Sequence, residues 1–152
     1  MNPKEFLKYY GDQPNFRLVN PNPTWADKKG IKWDRGDCTI RALANVLSIS
    51  WVEAFDYLTK KARRDFYVTG DQDAWRKWIP ESGGKWIATP ALKGKSRMTA
   101  LEFAKKHPKG RFVLYMSHHV AACVDGVILD AWNCGEKCLV GYYDFEGFDI
   151  NK

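Results

Sequence analysis

Residues 110–132 read GRFVLYMSHHVAACVDGVILDAW, and the architecture turns on this stretch. RFVLYMS, HVAACV and VILDAW are short β-rich runs with the period of two expected of strands. Asp125-Gly126 between the last two is the dipeptide that closes a two-residue hairpin. That loop sets a register in which Val124 faces Val127, Ala122 faces Leu129, Ala121 faces Asp130 and His119 faces Trp132. Side chains alternate between sheet faces, so His119, Ala121, Cys123, Asp130 and Trp132 share one. Asp130 is then the diagonal neighbour of His119, at roughly 7 Å, a gap two side chains can close. In the same register His118 points to the other face, opposite Asn133.

Upstream the period is 3.6. In WDRGDCTIRALANVLSIS, residues 33–50, Gly36 breaks the chain and Asp37 is placed as an N-cap. Ile40, Leu43, Ala44 and Leu47 follow at the spacing of a buried helix face, which puts Cys38 in the first turn. Ser50-Trp-Val-Glu53 and Thr99-Ala-Leu-Glu102 are capping boxes that open two further helices. A weaker helix is expected over Asp73–Trp78, followed by a loop through Gly83-Gly84. CLVGYYDFEGF supplies one or two more strands. Residues 1–30, broken by Pro3, Pro14, Pro21 and Pro23, read as an irregular arm with a short amphipathic start. Helices first and strands second make one α+β domain over residues 1–152, with a helical part packed on a C-terminal antiparallel sheet.

A cysteine at a helix N-terminus has chemical meaning. The partial positive charge there favours a thiolate, and the free N–H groups can hold an oxyanion. Cys38 as nucleophile, His119 as base and Asp130 as the carboxylate that orients the imidazole form a triad in chain order. Trp33 and Trp132 are expected to wall a cleft, with Asp34 and Asp37 lining it. The spacing Cys134-Gly-Glu-Lys-Cys138 offers two zinc ligands but no second pair, and Cys123 reads as core packing.

Two blocks, GDCTIRALANVLSISWVEAFDYL and, about eighty residues after the cysteine, GRFVLYMSHHVAACVDGVILDAW, resemble small papain-like cysteine peptidase domains of phages and bacteria. The shared pattern is G-D/N-C-x-x-R-A, a G-R strand, H-x-x-A-x-x-D-G and D-x-W, covering roughly residues 33–147. The resemblance implies a papain-like fold, Cys38 as nucleophile, His119 as general base and Asp130 as orienting acid. It also implies acyl transfer through a thioester, without metal or other cofactor. One departure stands out: residues 31–37, IKWDRGD, lack the glutamine or asparagine that completes the oxyanion hole in such enzymes. The Cys38 amide and a donor such as Asn20 or Asn22 would have to serve. Arg41 fits the family block, with an ion pair to Asp34 or Asp37 as its expected role.

The chain has 152 residues, 45% of them hydrophobic and 14% aromatic, which excludes wholesale disorder. No window approaches the ~18 apolar residues of a membrane helix, and the N-terminus lacks the apolar core of a secretory signal. A cytoplasmic protein with reduced cysteines and no membrane partner is the expectation, in the host cytoplasm if phage-encoded. The formal net charge of +6 is spread diffusely, which favours acidic protein or peptide substrates over nucleic acid. The rival class is a non-catalytic binder on the same scaffold, contacting a host protein or nucleic acid through its basic surface.

Overall fold

The computed structural model describes residues 2–24, 36–91 and 93–146. Among them are five helices: α1 (Pro3–Tyr10), α2 (Cys38–Leu47), α3 (Trp51–Asp65), α4 (Gln72–Glu81) and α5 (Ala100–Lys106). Six strands, β1 (Phe16–Leu18), β2 (Lys85–Ala88), β3 (Arg111–Met116), β4 (His119–Val124), β5 (Val127–Asp130) and β6 (Leu139–Asp144), form one sheet in the order β1-β5-β4-β3-β6-β2. The class is α+β. The sheet is mixed, because β1 runs parallel to β5 while the other pairs are antiparallel.

The helix signals act locally, as capping chemistry predicts. Ser50 accepts from the Glu53 amide and Thr99 from the Glu102 amide, opening α3 and α5. The α4 helix starts at an Asp71 cap and extends to Glu81, so Trp78–Glu81 is its last turn rather than a loop. Trp78 and Ile79 are buried there, and that burial holds the helix together up to Pro80. The α2 helix ends with Ser48 in the left-handed region, and Arg111 reaches over to donate to the Val46 carbonyl at 2.9 Å. A cation thus sits on the negative end of the α2 dipole and ties the helix to the first residue of β3.

Two corrections concern the first half of the chain. Residues 1–30 are not all irregular: they contribute α1 and the edge strand β1, with Phe16 only 1% exposed. Three residues are too few to show alternation, but they find a ready-made partner in β5. Strand β2 likewise comes from the middle of the chain, so the sheet is not purely C-terminal.

The central strands are buried on both faces, which accounts for their nearly unbroken apolar runs. Val113, Tyr115, Val120, Ala122 and Tyr143 pack on one face against α2, α3 and α4. Phe112, Leu114, Met116, Ala121, Cys123, Ile128 and Leu139 pack on the other with Phe16 and the α5 residues Ala100, Phe103 and Ala104. The hairpin register is the one Asp125-Gly126 dictates, with Val124 opposite Val127 and Ala122 opposite Leu129. Both turn residues have positive φ, 49° and 77°, as a type I′ turn requires. Ser117-His118 makes the preceding turn between β3 and β4. His118 is therefore an exposed turn residue at φ 57°, not a strand residue facing Asn133.

Candidate active site

Helix α2 runs beside β4 with its first residue, Cys38, at the end of the sheet where β4 begins with His119 and β5 ends with Asp130. Three residues separated by up to 92 positions thereby meet. His119 Nε2 donates to Asp130 Oδ2 at 2.6 Å, and the Cys38 thiol lies within hydrogen-bonding reach of the same imidazole. All three are buried, at 5%, 2% and 2% exposure. Trp132 lies against the imidazole with ring centroids 4.7 Å apart at 39°, covering the His119–Asp130 contact.

Behind the triad stands a buried charge network that sequence reasoning had only in part. Arg41, one turn into α2, pairs with the Asp37 carboxylate and reaches Asp130 Oδ1 at 3.4 Å. Asp130 Oδ1 also accepts from the Ala131 amide at 2.7 Å. One carboxylate thus serves two cationic groups, with Oδ2 on the imidazole and Oδ1 on the guanidinium. The His119 imidazolium and the Arg41 guanidinium match the Asp37 and Asp130 carboxylates, the condition under which buried charges are tolerated. Burial alone would push the imidazole down. The hydrogen bonds to Asp130, Cys134 and Cys38, with the Asp130 charge, outweigh burial and raise His119 to about 12.

Asp37 departs from expectation. It stands at the N-cap position of α2, but its side chain makes no capping hydrogen bond. It is buried at 7% exposure and accepts from Arg41, from Asn22 Nδ2 at 3.0 Å and from Trp51 Nε1 at 3.0 Å. Burial raises its pKa, yet the Arg41 charge and these donors win, and the net shift is downward. The Asn22 amide is consequently committed to Asp37, while Asn20 Oδ1 accepts from the Asn22 backbone. Trp33 and Asp34 lie outside the described residues.

Cys134 is the residue that sequence reasoning misplaced. The spacing suggests a pair with Cys138, but Cys134 is buried and Cys138 exposed. Cys134 Sγ, an Asp130 oxygen and a His119 nitrogen all lie within 4.8 Å of one another. The thiol therefore packs on the imidazole–carboxylate pair. Burial first, and the Asp130 charge next, push it up to about 12. Cys123, in the same apolar cluster, is pushed up to about 12 by burial and then by Cys134. The signal for Cys134 was weak: four residues past Asp130, beyond the end of β5, no periodicity says where its side chain points.

The set His119, Asp130 and Cys134 has metal-ligating atoms, but its donors already serve one another and Arg41 neutralises the carboxylate. Chemically, the arrangement offers a thiol beside an imidazole, an acceptor-only carboxylate that fixes which ring nitrogen carries a proton, and a helix N-terminus under the sulfur. Among the described residues no helix is long and apolar enough to cross a membrane. The chain matches no protein family, no curated protein and no solved structure.

Proposed function

We propose that this protein is a cysteine hydrolase with a papain-like arrangement, in which Cys38 attacks an amide, isopeptide or ester carbonyl. The observation that carries the reading is one imidazole bonded through Nε2 to Asp130 at 2.6 Å while the Cys38 thiol, on the first residue of α2, lies within its reach. With Nε2–H committed to the carboxylate, Nδ1–H is the group that gives its proton to the leaving group.

The reaction balances with these groups alone. Cys38, its proton already given up to solvent, attacks as the thiolate beside the His119 imidazolium, and the sulfur bonds to the carbonyl carbon while the Cys38 amide at the start of α2 donates to the oxyanion. As the carbon–nitrogen bond breaks, His119 delivers its proton to the departing amine, leaving a thioester on Cys38. Water then attacks the thioester and gives a proton to His119. The carbon–sulfur bond breaks, the acid leaves, and that proton stays on His119 as the imidazolium beside the regenerated Cys38 thiolate. Asp130 never changes protonation; it holds the ring in place and stabilises the imidazolium. Arg41 positions Asp130 from behind.

The test is acylation by a chromogenic ester. Incubation with 4-nitrophenyl acetate should release a burst of nitrophenolate equal to the protein present, with one acetyl group recovered on the Cys38 peptide. Cys38→Ala should abolish the burst, and His119→Gln should slow it by about 10²-fold or more, the usual contribution of a positioned base. Acetylation spread over lysines with no preference for Cys38 would defeat the proposal and leave a non-catalytic binder as the better reading.

A further inference from the structure

The sheet has two edges, β1 and β2, and the chain treats them differently. In β1 the register with β5 turns the backbone groups of Phe16 and Leu18 outward, and the chain covers them itself. Phe16 N–H donates to the Gln13 carbonyl at 3.1 Å, and the Phe16 carbonyl accepts from the Gln13 amide at 2.8 Å. Leu18 N–H donates to Asp12 Oδ1 at 2.9 Å. Backbone groups satisfied in this way give another strand nothing to pair with.

The β2 edge is left open. Thr89 N–H donates to the Val140 carbonyl, so in this antiparallel register Lys85, Ile87 and Thr89 turn their backbone groups toward β6. The N–H and C=O groups of Trp86 and Ala88 therefore face outward, and no described residue hydrogen-bonds them. They stand at the alternate spacing that an incoming strand meets. Pro90 has no N–H to offer and closes the edge two residues on, which keeps the open stretch short. The edge is also held in place. The Trp86 indole lies over Gly141, where a Cβ would stand 2.6 Å from Trp86 Cζ2. It meets Tyr143 at 4.9 Å and Tyr115 at 5.8 Å between ring centroids, yet keeps 41% of its surface exposed. A fixed apolar ring beside unpaired backbone costs little to order when a partner arrives.

Charge says which partner fits. Lys85 is exposed on one face of the edge. On the other, exposed Arg76 lines a hollow of about 380 Å³ together with Trp86, Tyr115, Val140 and Tyr143. The acidic neighbours of these cations lie inward: Asp144 faces Lys85 from β6, and Asp73 acts on Arg76 from the same helix. The formal net charge of +6 repels a second copy of the chain and attracts an acidic strand. Strand β2 is three strands from β4, roughly 14 Å from the strand bearing His119, so this edge is separate from the triad.

We infer that the outer edge of β2 takes an extended acidic segment of a partner protein. The segment adds a seventh strand through the backbone of Trp86 and Ala88, packs apolar side chains on Trp86 and Ile87, and sets carboxylates beside Lys85 and Arg76. The inference is independent of the hydrolase reading.

The experiment follows binding of two fluorescein-labelled peptides, Ser-Glu-Val-Phe-Val-Glu-Ser and Ser-Lys-Val-Phe-Val-Lys-Ser, to the whole chain by fluorescence anisotropy. The Glu peptide should bind about tenfold or more tighter than the Lys peptide at low salt, and the gap should narrow at about 0.5 M salt. N-methylation of one alternate set of peptide amides should weaken binding about tenfold or more, while the other set changes it less than about twofold, because only one set faces the edge. Ala88→Pro removes an outward N–H that no sheet bond uses, so it should weaken binding about tenfold with little change in thermal midpoint. The methylated peptides need no variant, so they decide the matter even where that one folds poorly. Trp86→Ala should weaken binding several-fold, and Lys85→Glu combined with Arg76→Glu should reverse the preference for Glu over Lys. Equal weakening by both methylated sets, or binding untouched by Ala88→Pro, would overturn the inference. So would the absence of saturable binding by either peptide up to about 1 mM. Concentration-dependent dimers in sedimentation velocity, lost in Ala88→Pro, would assign the edge to a second copy and overturn the acidic partner.

Discussion

Replacing Arg41 with Met keeps a long side chain in the core and removes only the guanidinium. Arg41 is 2% exposed and stands between Asp37 and Asp130, which are 7% and 2% exposed. Deleting one partner of a buried ion pair strands the other charge, at a cost of about 3–5 kcal/mol. For a chain of this size each kcal/mol moves Tm by ~2–4 °C, so the expected drop is roughly 6–20 °C. A second signature separates electrostatics from lost packing. In the native protein Asp37 is held below its ordinary value, against a burial effect that is the largest single influence on it. Its contribution is present above the unfolded carboxyl pKa of ~3.9 and is lost as pH falls through the lower native value. Without Arg41, burial is opposed only by the Asn22 and Trp51 donors, so Asp37 takes up a proton at higher pH. The penalty of Arg41→Met should therefore shrink as pH falls from 7 toward 4. Urea unfolding followed by tryptophan fluorescence at both pH values measures this directly. Arg41→Met combined with Asp37→Asn should recover part of the loss at pH 7. A penalty below about 1 kcal/mol, or one identical at both pH values, would refute the network as described.

Three further outcomes are expected. With iodoacetamide at pH 6, Cys38 should be alkylated before the exposed Cys138, and His119→Gln should remove that lead; peptide mass mapping over time decides it. Cys123 and Cys134, held near 12 by burial, should stay unlabelled at pH 8 until urea unfolds the chain. His119 is raised above its unfolded value, so its stabilisation is complete below pH ~6.5 and declines as pH climbs toward about 12, by up to ~1.4 kcal/mol per pH unit. His119→Gln should flatten that decline in unfolding free energies measured from pH 7 to 10, and parallel curves for the two proteins would contradict it. Gly126→Ala should cost about 1–2 kcal/mol, because φ is 77° and the new Cβ would sit 3.1 Å from Pro108 Cα; no loss on thermal unfolding would show that the turn adapts.

What could be read from the sequence alone is whatever depends on neighbours a few residues away. The start of α2 at Cys38, the boxes at Ser50 and Thr99, and the hairpin at Asp125-Gly126 follow from backbone hydrogen bonds and φ preferences that span four residues or fewer. The hairpin register that follows from that turn also puts His119 and Asp130 on a common face. Other features depend on partners with no local signature. The three residues of β1 are a strand only because β5 lies alongside, and Gly141 matters only because Trp86 arrives from β2. Asp37 looks like a cap in the chain, but in the fold its carboxylate is drawn to Arg41, Asn22 and Trp51. Cys134 joins the imidazole through the path of the chain beyond β5. Periodicity and capping determined the elements and the faces they present. Which charges share a buried carboxylate, and which rings make a pocket, were settled by long-range packing, because desolvation and ion pairing act on whatever the fold brings within a few ångströms.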